Sequence, residues 1–411
     1  MARIMKDSGV DWIGEIPVDW NVRKGKSLYK IETGKLDAND DDINGIYPFF
    51  TCSMYPKKIS HYAFDCEALL VAGNGLVGFT QYYKGKFNAY QRTYVLSNFK
   101  NVDPIFLKYY VGNCLSTEVA PKSVGSVIQF IKLGDLQDFH ISLPPIIEQQ
   151  KIAVFLNKKC SEIDSVLTKT RESIEEYKKL KQSIITQAVT KGIRPNRKMK
   201  DSGIEWTKEI PVDWNSINPK ALFTQRKEKA SAGEKQLTAS QQYGIVYQDE
   251  YMEMTGAKVV TVEKDFDILK HVEKGDFVIS MRSFQGGLEY STKTGSISSA
   301  YVMLIPNEKY VFPRFYRWLL KSNVYINALQ STSNMVRDGQ AMRYSNFAQV
   351  RLYTVPLKEQ KEIANYLDLK CNQIDKLIEQ KEDFLKELET YKKSLIYEYV
   401  TGKKEVPADV G

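Results

Sequence analysis

Two long stretches of the chain repeat apolar side chains every three or four residues. One follows Pro145 and the other follows Pro356, and neither contains proline or glycine for about forty residues. A 3.5-residue spacing kept for more than four heptads is typical of a coiled-coil seam, so the pattern predicts two long helices. The apolar seam positions are Leu156, Cys160, Ile163, Leu167, Ile174 and Ile184 in the first stretch, and Leu367, Cys371, Ile374, Ile378, Leu385, Leu388 and Leu395 in the second.

Lysine interrupts the seam once in each stretch, at Lys181 and Lys392. We expect these side chains to extend to water at frayed helix ends, although a role in setting the register is the alternative. On the outer faces of the helices, Phe155, Tyr366 and Tyr397 are candidates for exposed apolar contacts with a partner.

The chain also repeats itself. The segment from Glu15 to Asn21 recurs without change from Glu209 to Asn215, which lies 194 residues further on. A second pair of matching segments starts at Pro145 and Pro356, 211 residues apart, and leads into the two helices. Similar ends around a divergent middle indicate one scaffold that carries two different modules.

Each divergent block has short apolar runs separated by Gly, Asn, Asp and Ser, which is typical of strands and turns. Such runs occur at 68–72, 94–96, 277–280 and 301–304, and short helices are expected at 103–112 and 313–328. The predicted fold class is α/β of the mixed α+β kind. Two such domains are joined by two long helices, which form an antiparallel coiled coil with a pseudo-two-fold repeat and place the domains several tens of ångströms apart. The predicted boundaries are 1–144 for the first domain, 145–198 for the first helix and linker, 199–355 for the second domain, and 356–411 for the second helix and tail.

Composition narrows the setting of the protein. The formal net charge of +8 permits a nucleic-acid partner but does not demonstrate one. Five cysteines without a CxxC spacing argue against a disulfide framework or a zinc ribbon, so a reducing cytoplasm fits best. No apolar run reaches the ~18–20 residues that a membrane span needs. Residues 1–6 lack the apolar core of a secretory signal.

Catalytic motifs are not found. Gly73-Asn-Gly-Leu-Val-Gly78 matches GxGxxG, but strand-like residues follow it, so we interpret it as a hairpin turn or bulge. The three histidines (His61, His140 and His271) have no metal-ligand spacing. Acid-x-Lys pairs fall on the predicted helices, where solvated charges are expected. The sequence therefore predicts no catalytic residue, no metal and no cofactor.

A DNA-binding role has a physical basis in the Gly-marked loops of both blocks. Arg, Asn and Gln are the side chains that read base edges, and Lys suits phosphates. For each loop, an ordinary surface turn is the alternative. The DNA-binding candidates are Lys57, Lys58, Asn74, Lys84, Lys86, Arg92, Lys122, Ser126, Gln129, Arg282, Gln285, Arg337, Gln340 and Arg343.

The order of these motifs resembles a known family over essentially the whole chain. Gly14-Glu-Ile-Pro17 with Trp20 precedes the first block, and Leu143-Pro-Pro145 with Glu148-Gln149 and Ile152-Ala153 follows it. Glu359-Gln360 and Ile363-Ala364 repeat the second motif. The second half departs from the pattern at two points: Lys208 replaces the glycine before Glu209, and Val355-Pro356 replaces the double proline. This duplicated order is similar to that of specificity subunits of type I restriction–modification systems.

The resemblance implies a protein without catalytic activity of its own. Its two blocks would be target recognition domains, and each would read one half of a bipartite, asymmetric site in double-stranded DNA. The helices would set the spacer length and bind two methyltransferase subunits, while motor–nuclease subunits would add cleavage. Two alternatives remain: a nuclease or methyltransferase in its own right, and a coiled-coil interaction scaffold without sequence-specific DNA binding.

Overall fold

The computed structural model describes residues 3–120, 130–259, 261–262, 268–281, 283–332 and 342–407. The chain divides into two compact units. The first unit comprises Met1–Arg171 and Glu382–Gly411, and the second comprises Glu172–Lys381. Each unit therefore contains one of the divergent blocks and parts of both long helices.

The first unit is built around a six-stranded sheet with the order β4-β9-β7-β8-β5-β6. All of its pairs are antiparallel except β5 with β8. The strands are β1 (Met5–Asp7), β2 (Glu15–Pro17), β3 (Asn21–Lys24), β4 (Lys30–Thr33), β5 (Tyr47–Phe50), β6 (Lys57–Ile59), β7 (Phe64–Ala72), β8 (Thr80–Ala89), β9 (Thr93–Ser97) and β10 (His140–Leu143). The helices that begin in this unit are α1 (Pro104–Val119), α2 (Leu133–Gln137) and α3 (Ile146–Lys191).

Helix α1 covers one face of this sheet. Asp103 caps its start by accepting bonds from the main-chain N–H groups of Ile105 and Phe106, and Pro104 occupies the first turn. Phe106 and Tyr110 are fully buried in the same core cluster as Leu69 of β7. The strand prediction at 68–72 and the helix prediction at 103–112 are both confirmed.

The second unit has a smaller sheet of four strands, with the order β14-β21-β18-β19, and four further strand pairs. Its strands are β11 (Met199–Asp201), β12 (Glu209–Pro211), β13 (Asn215–Ile217), β14 (Phe223–Arg226), β15 (Leu237–Ser240), β16 (Gly244–Tyr247), β17 (Lys270–Val272), β18 (Phe277–Ile279), β19 (Glu289–Tyr290), β20 (Gly295–Ile297), β21 (Val302–Pro306) and β22 (Leu352–Thr354). Its helices are α4 (Pro219–Leu222), α5 (Gln248–Thr255), α6 (Ser283–Gly286), α7 (Pro313–Leu319), α8 (Asn323–Ser331), α9 (Tyr344–Gln349) and α10 (Leu357–Val400), which ends in the first unit.

The helix predicted at 313–328 is divided into α7 and α8. The main-chain N–H and the hydroxyl of Ser322 both donate to the carbonyl of Leu319, at 3.1 and 2.7 Å, and so bind the last turn of α7. The chain then starts α8 in a new direction, which the continuous apolar pattern did not predict.

The internal repeat appears as the same small frame in each unit. Strands β1 and β2 pair with Met5 opposite Pro17, and β11 and β12 pair with Met199 opposite Pro211. The frame is completed by β3 with β10 in the first unit and by β13 with β22 in the second. Each frame encloses a fully buried tryptophan, Trp20 or Trp214.

Both long helices begin directly after Pro145 and Pro356, as predicted, at Ile146 and Leu357. Within the first unit, Phe155 of α3 lies 4.5 Å from Tyr399 of α10 between ring centroids, and Asp164 binds Lys392. Residue numbers rise along one segment as they fall along the other, so the two segments run antiparallel in this unit. The interpretation of Phe155 as an exposed partner contact is wrong, because its side chain is buried against Tyr399.

The seam lysines do not lie at frayed ends. Lys392 binds both carboxylate oxygens of Asp164 at 2.6 and 2.7 Å in the first unit, and Lys181 binds Asp375 in the same way in the second. Each lysine therefore crosses to the facing helix instead of extending to water. The residues of the predicted seam are buried, apart from Ile184, Ile378, Leu385 and Leu388, which are half-buried.

Candidate nucleic-acid interface

In each unit, a carboxylate at the start of the long helix accepts several side-chain hydrogen bonds. In the first unit, Glu148 accepts bonds from Trp20 Nε1 at 3.0 Å and from Arg3 at 2.6 and 3.0 Å. In the second unit, Glu359 accepts a bond from Trp214 Nε1 at 3.1 Å and is paired with Arg197. This carboxylate thus ties the repeated frame to the helix.

The glutamine that follows each carboxylate ties the helix to the α/β block. Gln149 accepts a bond from the Asp103 N–H at 2.7 Å and donates to the carbonyl of Pro144 at 2.8 Å. Gln360 accepts a bond from the Phe312 N–H at 2.7 Å and donates to the carbonyl of Val355 at 2.7 Å. Sequence reasoning recognised the Glu-Gln pair as a motif but missed this role, although recurrence in both halves was a signal of it.

In the first unit, three loops meet at the β7–β8 end of the sheet. The β7–β8 register pairs Val71 with Thr80, so Gly73–Gly78 is a hairpin turn, as predicted. The Gly73 N–H donates to the carbonyl of Arg92 at 3.0 Å, and the Cys52 thiol donates to the same carbonyl at 3.3 Å. We call loops 51–56, 73–79 and 90–92 the hairpin edge. Of the predicted DNA contacts, Asn74 and Arg92 come together here.

The segment 130–132 adjoins the hairpin edge. Asn74 and Phe130 form an isolated antiparallel bridge, and the Ile131 N–H donates to the carbonyl of Gly73 at 2.9 Å. Lys132 follows at the N-terminal cap of α2. The predicted contacts Lys122, Ser126, Gln129, Arg282, Arg337 and Gln340 lie outside the described residues.

Exposed apolar side chains, which sequence reasoning missed, lie on the hairpin edge and beside it. Tyr55 is 77% exposed, Phe130 is 52% exposed and Leu76 is 46% exposed. Exposed rings beside Arg and Asn can stack on bases or insert between them.

The other predicted contacts of the first unit lie elsewhere on the sheet. Lys84 and Lys86 are exposed on β8, opposite Glu67 and Asp65 and several residues from the hairpin turn. Lys57 and Lys58 are exposed on the edge strand β6.

Lys57 already has a partner on its own surface. Its ammonium donates to Asp41 at 2.7 Å and to the carbonyl of Ala38 at 2.9 Å. The bond from Lys57 lowers the pKa of the Asp41 carboxyl below its ordinary value. A side chain engaged in this way is less suited to a phosphate than a free lysine.

The second unit has a related edge. The turn between β18 and β19 contains α6, on which Gln285 is exposed, and Gln330 of α8 donates to the carbonyl of Phe284 at 2.7 Å. Arg343 is exposed at the N-terminal cap of α9, where its main-chain N–H donates to Asn346 Oδ1 at 3.1 Å. Lys132 occupies the corresponding cap in the first unit, so a basic residue precedes the last short helix of each block.

No group of three His, Cys, Asp or Glu side chains that could hold a metal ion occurs among the described residues. Within the same ranges, no helix has both the length and the apolar character needed to cross a bilayer.

Part of the chain is similar to known proteins. Residues 17–176 match the family described as type I restriction modification DNA specificity domain. The type I restriction enzyme EcoDI specificity subunit of Escherichia coli is 37% identical over 180 residues, which cover 43% of this chain and 39% of that relative. Over this part of its length, the chain is similar to type I restriction enzyme specificity subunits.

More distant relatives match over nearly the whole length of the chain. The putative MjaX specificity subunit of Methanocaldococcus jannaschii is 24% identical over 434 residues, which cover 96% of each protein. A chain from a solved type I restriction–modification system, in a study of complex assembly and conformational transition, has a TM-score of 0.68 over 95% of this chain and 99% of its own, at 15% identity. The HsdS subunit of Thermoanaerobacter tengcongensis gives 0.51 over 95% and 98%, also at 15% identity. These two structures share the mixed α/β fold.

Proposed function

We propose that this chain is the DNA specificity subunit of a type I restriction–modification complex, and that each α/β block reads one half of a bipartite, asymmetric site. One observation carries the proposal: the same bonded frame recurs in both units and holds blocks that differ. Each block presents a turn that connects two strands of its sheet. Each block also presents a basic residue at the N-terminal cap of its last short helix. A repeated frame with different reading edges suits one protein that reads two different sequences.

The domains of this proposal are 1–144 and 199–355 as target recognition domains, with 145–198 and 356–411 as helical spacers and tail. The helices would form an antiparallel coiled coil that sets the unread spacer between the half-sites. The two Lys–Asp pairs across the helices support this role, because a seam lysine that needs a particular partner on the facing helix favours one register over others.

One flank of the helix pair is suited to binding the methyltransferase. In the first unit, Val166 and Tyr391 each precede a seam position by one residue, and both are exposed. Leu180 and Leu377 occupy the same heptad position in the second unit and are also exposed. The opposite flank carries charges such as Arg171, which pairs with Glu389 at 2.5 Å. Two equivalent apolar patches fit two copies of one partner.

The chemistry would belong to the partners of this chain. Methyltransferase subunits would modify the site that this chain selects, and motor–nuclease subunits would translocate and cleave DNA. The complex would act in the cytoplasm, where the DNA and these partners are found. This division of labour agrees with a sequence in which no catalytic motif was found.

The test is the salt dependence of duplex binding by the chain reconstituted with its methyltransferase. We expect specific binding whose affinity falls with salt, with a log–log slope of about −0.9 per neutralised phosphate. An assembled complex that binds no duplex better than any other would instead support a coiled-coil scaffold without sequence reading.

A further inference from the structure

A cleft of about 850 Å³ opens in the second unit beside the β11–β12 hairpin. Its walls are the end of α3, the hairpin turn and the start of α8, with Thr186, Trp206, Thr207 and Val324 among the lining residues. None of these belongs to the candidate DNA contacts.

The corresponding space in the first unit is closed by the chain itself. Tyr397 corresponds to Thr186, because each accepts a bond at its carbonyl from a threonine hydroxyl four residues later. The Tyr397 hydroxyl donates to the carbonyl of Trp12 at 2.9 Å. Lys403 then donates to the carbonyl of Ile13 at 2.8 Å and to that of Glu15. A phenol and an ammonium group therefore close this site.

The second unit has the acceptors of this site without the donors. Thr186 stands where the first unit has Tyr397, and no described side chain donates to the carbonyl of Trp206. Thr207 stands where the first unit has the buried Ile13, and its Oγ1 is buried with no hydrogen-bond partner among the described residues. A buried hydroxyl without a partner is unusual, since most such groups are hydrogen-bonded.

The rim of the cleft carries a second unusual feature. Lys208 has a φ of 39°, where the first unit has Gly14 with a φ of 65°. A side chain in this left-handed region is strained, and such strain is concentrated at functional sites. The rim also carries the three carboxylates of Asp201, Glu205 and Glu209, which outnumber the two lysines that line the cleft. A basic segment would therefore be attracted to it.

We propose that this cleft is a docking site for a segment of the methyltransferase partner that inserts a tyrosine side chain followed by a basic residue. The tyrosine hydroxyl would donate to the carbonyl of Trp206 and, once rotation of the Thr207 side chain turns its hydroxyl toward the cleft, accept from that hydroxyl. The basic group would meet the hairpin carbonyls and the acidic rim. The occupant thus reproduces in trans what Tyr397 and Lys403 do within the first unit. The inference rests on the proposed function for the identity of the partner, and it makes the two partner sites unequal.

The test introduces a larger side chain at a residue that lines the cleft. Thr186→Tyr gives the second unit the side chain that closes the first, whereas Thr186→Ser leaves the cleft open as the matched control. The full-length chain is titrated with purified methyltransferase subunit in a calorimeter, and its melting temperature is recorded. We expect Thr186→Tyr to melt no lower than wild type and to weaken one of two binding events about tenfold, while Thr186→Ser binds as wild type does.

A folded Thr186→Tyr variant with two unchanged binding events would overturn the docking site. If this variant does not fold, Thr207→Val decides, because it removes the unpartnered hydroxyl at nearly constant volume. Weaker binding by Thr207→Val supports the site, and unchanged binding overturns it. A wild-type chain that binds no methyltransferase would overturn the partner assignment of the proposed function, and the docking site with it. Failure of the docking site alone is recognised differently, because the wild-type chain then still binds and the variants bind equally well.

Discussion

The indole Nε1 of Trp214 donates to Glu359 Oε2 at 3.1 Å, and Trp20 makes the same bond to Glu148 at 3.0 Å. The tryptophans are fully buried, and Glu359 is only 2% exposed. Segments that are far apart in the chain meet at this bond in both units. It therefore joins the repeated frame to the long helix in both units.

Removing the charge of Glu359 should destabilise the second unit strongly. Glu359→Gln keeps the shape of the side chain but leaves the guanidinium of Arg197, 11% exposed, without its buried carboxylate. Breaking a buried pair from one side costs about 3 kcal/mol in free energy of unfolding, which urea denaturation would measure. Glu362→Gln breaks the exposed pair with Arg194 and serves as the control, with an expected loss below about 1 kcal/mol. Equal losses in the two variants would contradict this account.

The contribution of His271 to stability should depend on pH. Partial burial lowers the pKa of His271, but bonds to Glu234 and Glu273, at 3.0 and 3.1 Å, raise it by more than burial lowers it. The net pKa of His271 therefore lies above the ordinary value of 6.5. A pKa raised by folding adds stability that is complete below the unfolded pKa and is lost as pH rises through the folded pKa. His271→Asn should therefore lower the melting temperature more at acidic than at alkaline pH. A difference from wild type that is independent of pH would argue against the charged interaction.

Within the first unit, Arg92 should matter for sequence reading and Lys57 should not. Arg92 is exposed on the hairpin edge beside Asn74, whereas Lys57 is bound to Asp41. Arg92→Ala should cost about 1–3 kcal/mol in binding and relax the base preference at one position of one half-site. Lys57→Ala is the matched control, and its binding should differ little from wild type. Competition binding against single-base variants of the site would measure both, and a uniform loss across all sequences would assign Arg92 to a phosphate.

Shortening the helix pair should change the spacer and leave the half-sites unchanged. Removing residues 168–174 together with 382–388 deletes one heptad from each helix and keeps both Lys–Asp pairs. Seven residues correspond to roughly 10 Å of helix, or about three base pairs of duplex. Binding to sites with varied spacers would show the new optimum. A variant that selects different half-site bases at the original spacing would contradict the role of the helices as a ruler.

The sequence predicted the long helices well because their signal is local and periodic. Pro145 and Pro356 fix the starts, and the 3.5-residue seam runs through both helices. The partners of the seam lysines were not predictable in this way, because Asp164 lies 228 residues from Lys392 and only the folded chain brings them together. The bond between Glu148 and Trp20 was not predictable either, because these residues are also far apart in the sequence.

The candidate contacts on the α/β blocks were harder to predict than the helical scaffold. Arg92 and Asn74 were both candidates, but their proximity depends on the register of β7 and β8, which no short motif encodes. The exposure of Tyr55 and Phe130 was missed because an aromatic residue beside a strand usually packs into a core. Residue type alone therefore identified the kind of surface and did not fix its geometry.

Selection of bound sequences from random duplex DNA tests the central claim most directly. The full chain would be reconstituted with its methyltransferase, and the bound duplexes would be sequenced after several rounds. The account predicts two short fixed half-sites, different from each other, at one constant spacing. A single contiguous site, or no enrichment from a soluble and assembled complex, would contradict the claim that each unit reads its own half of the target.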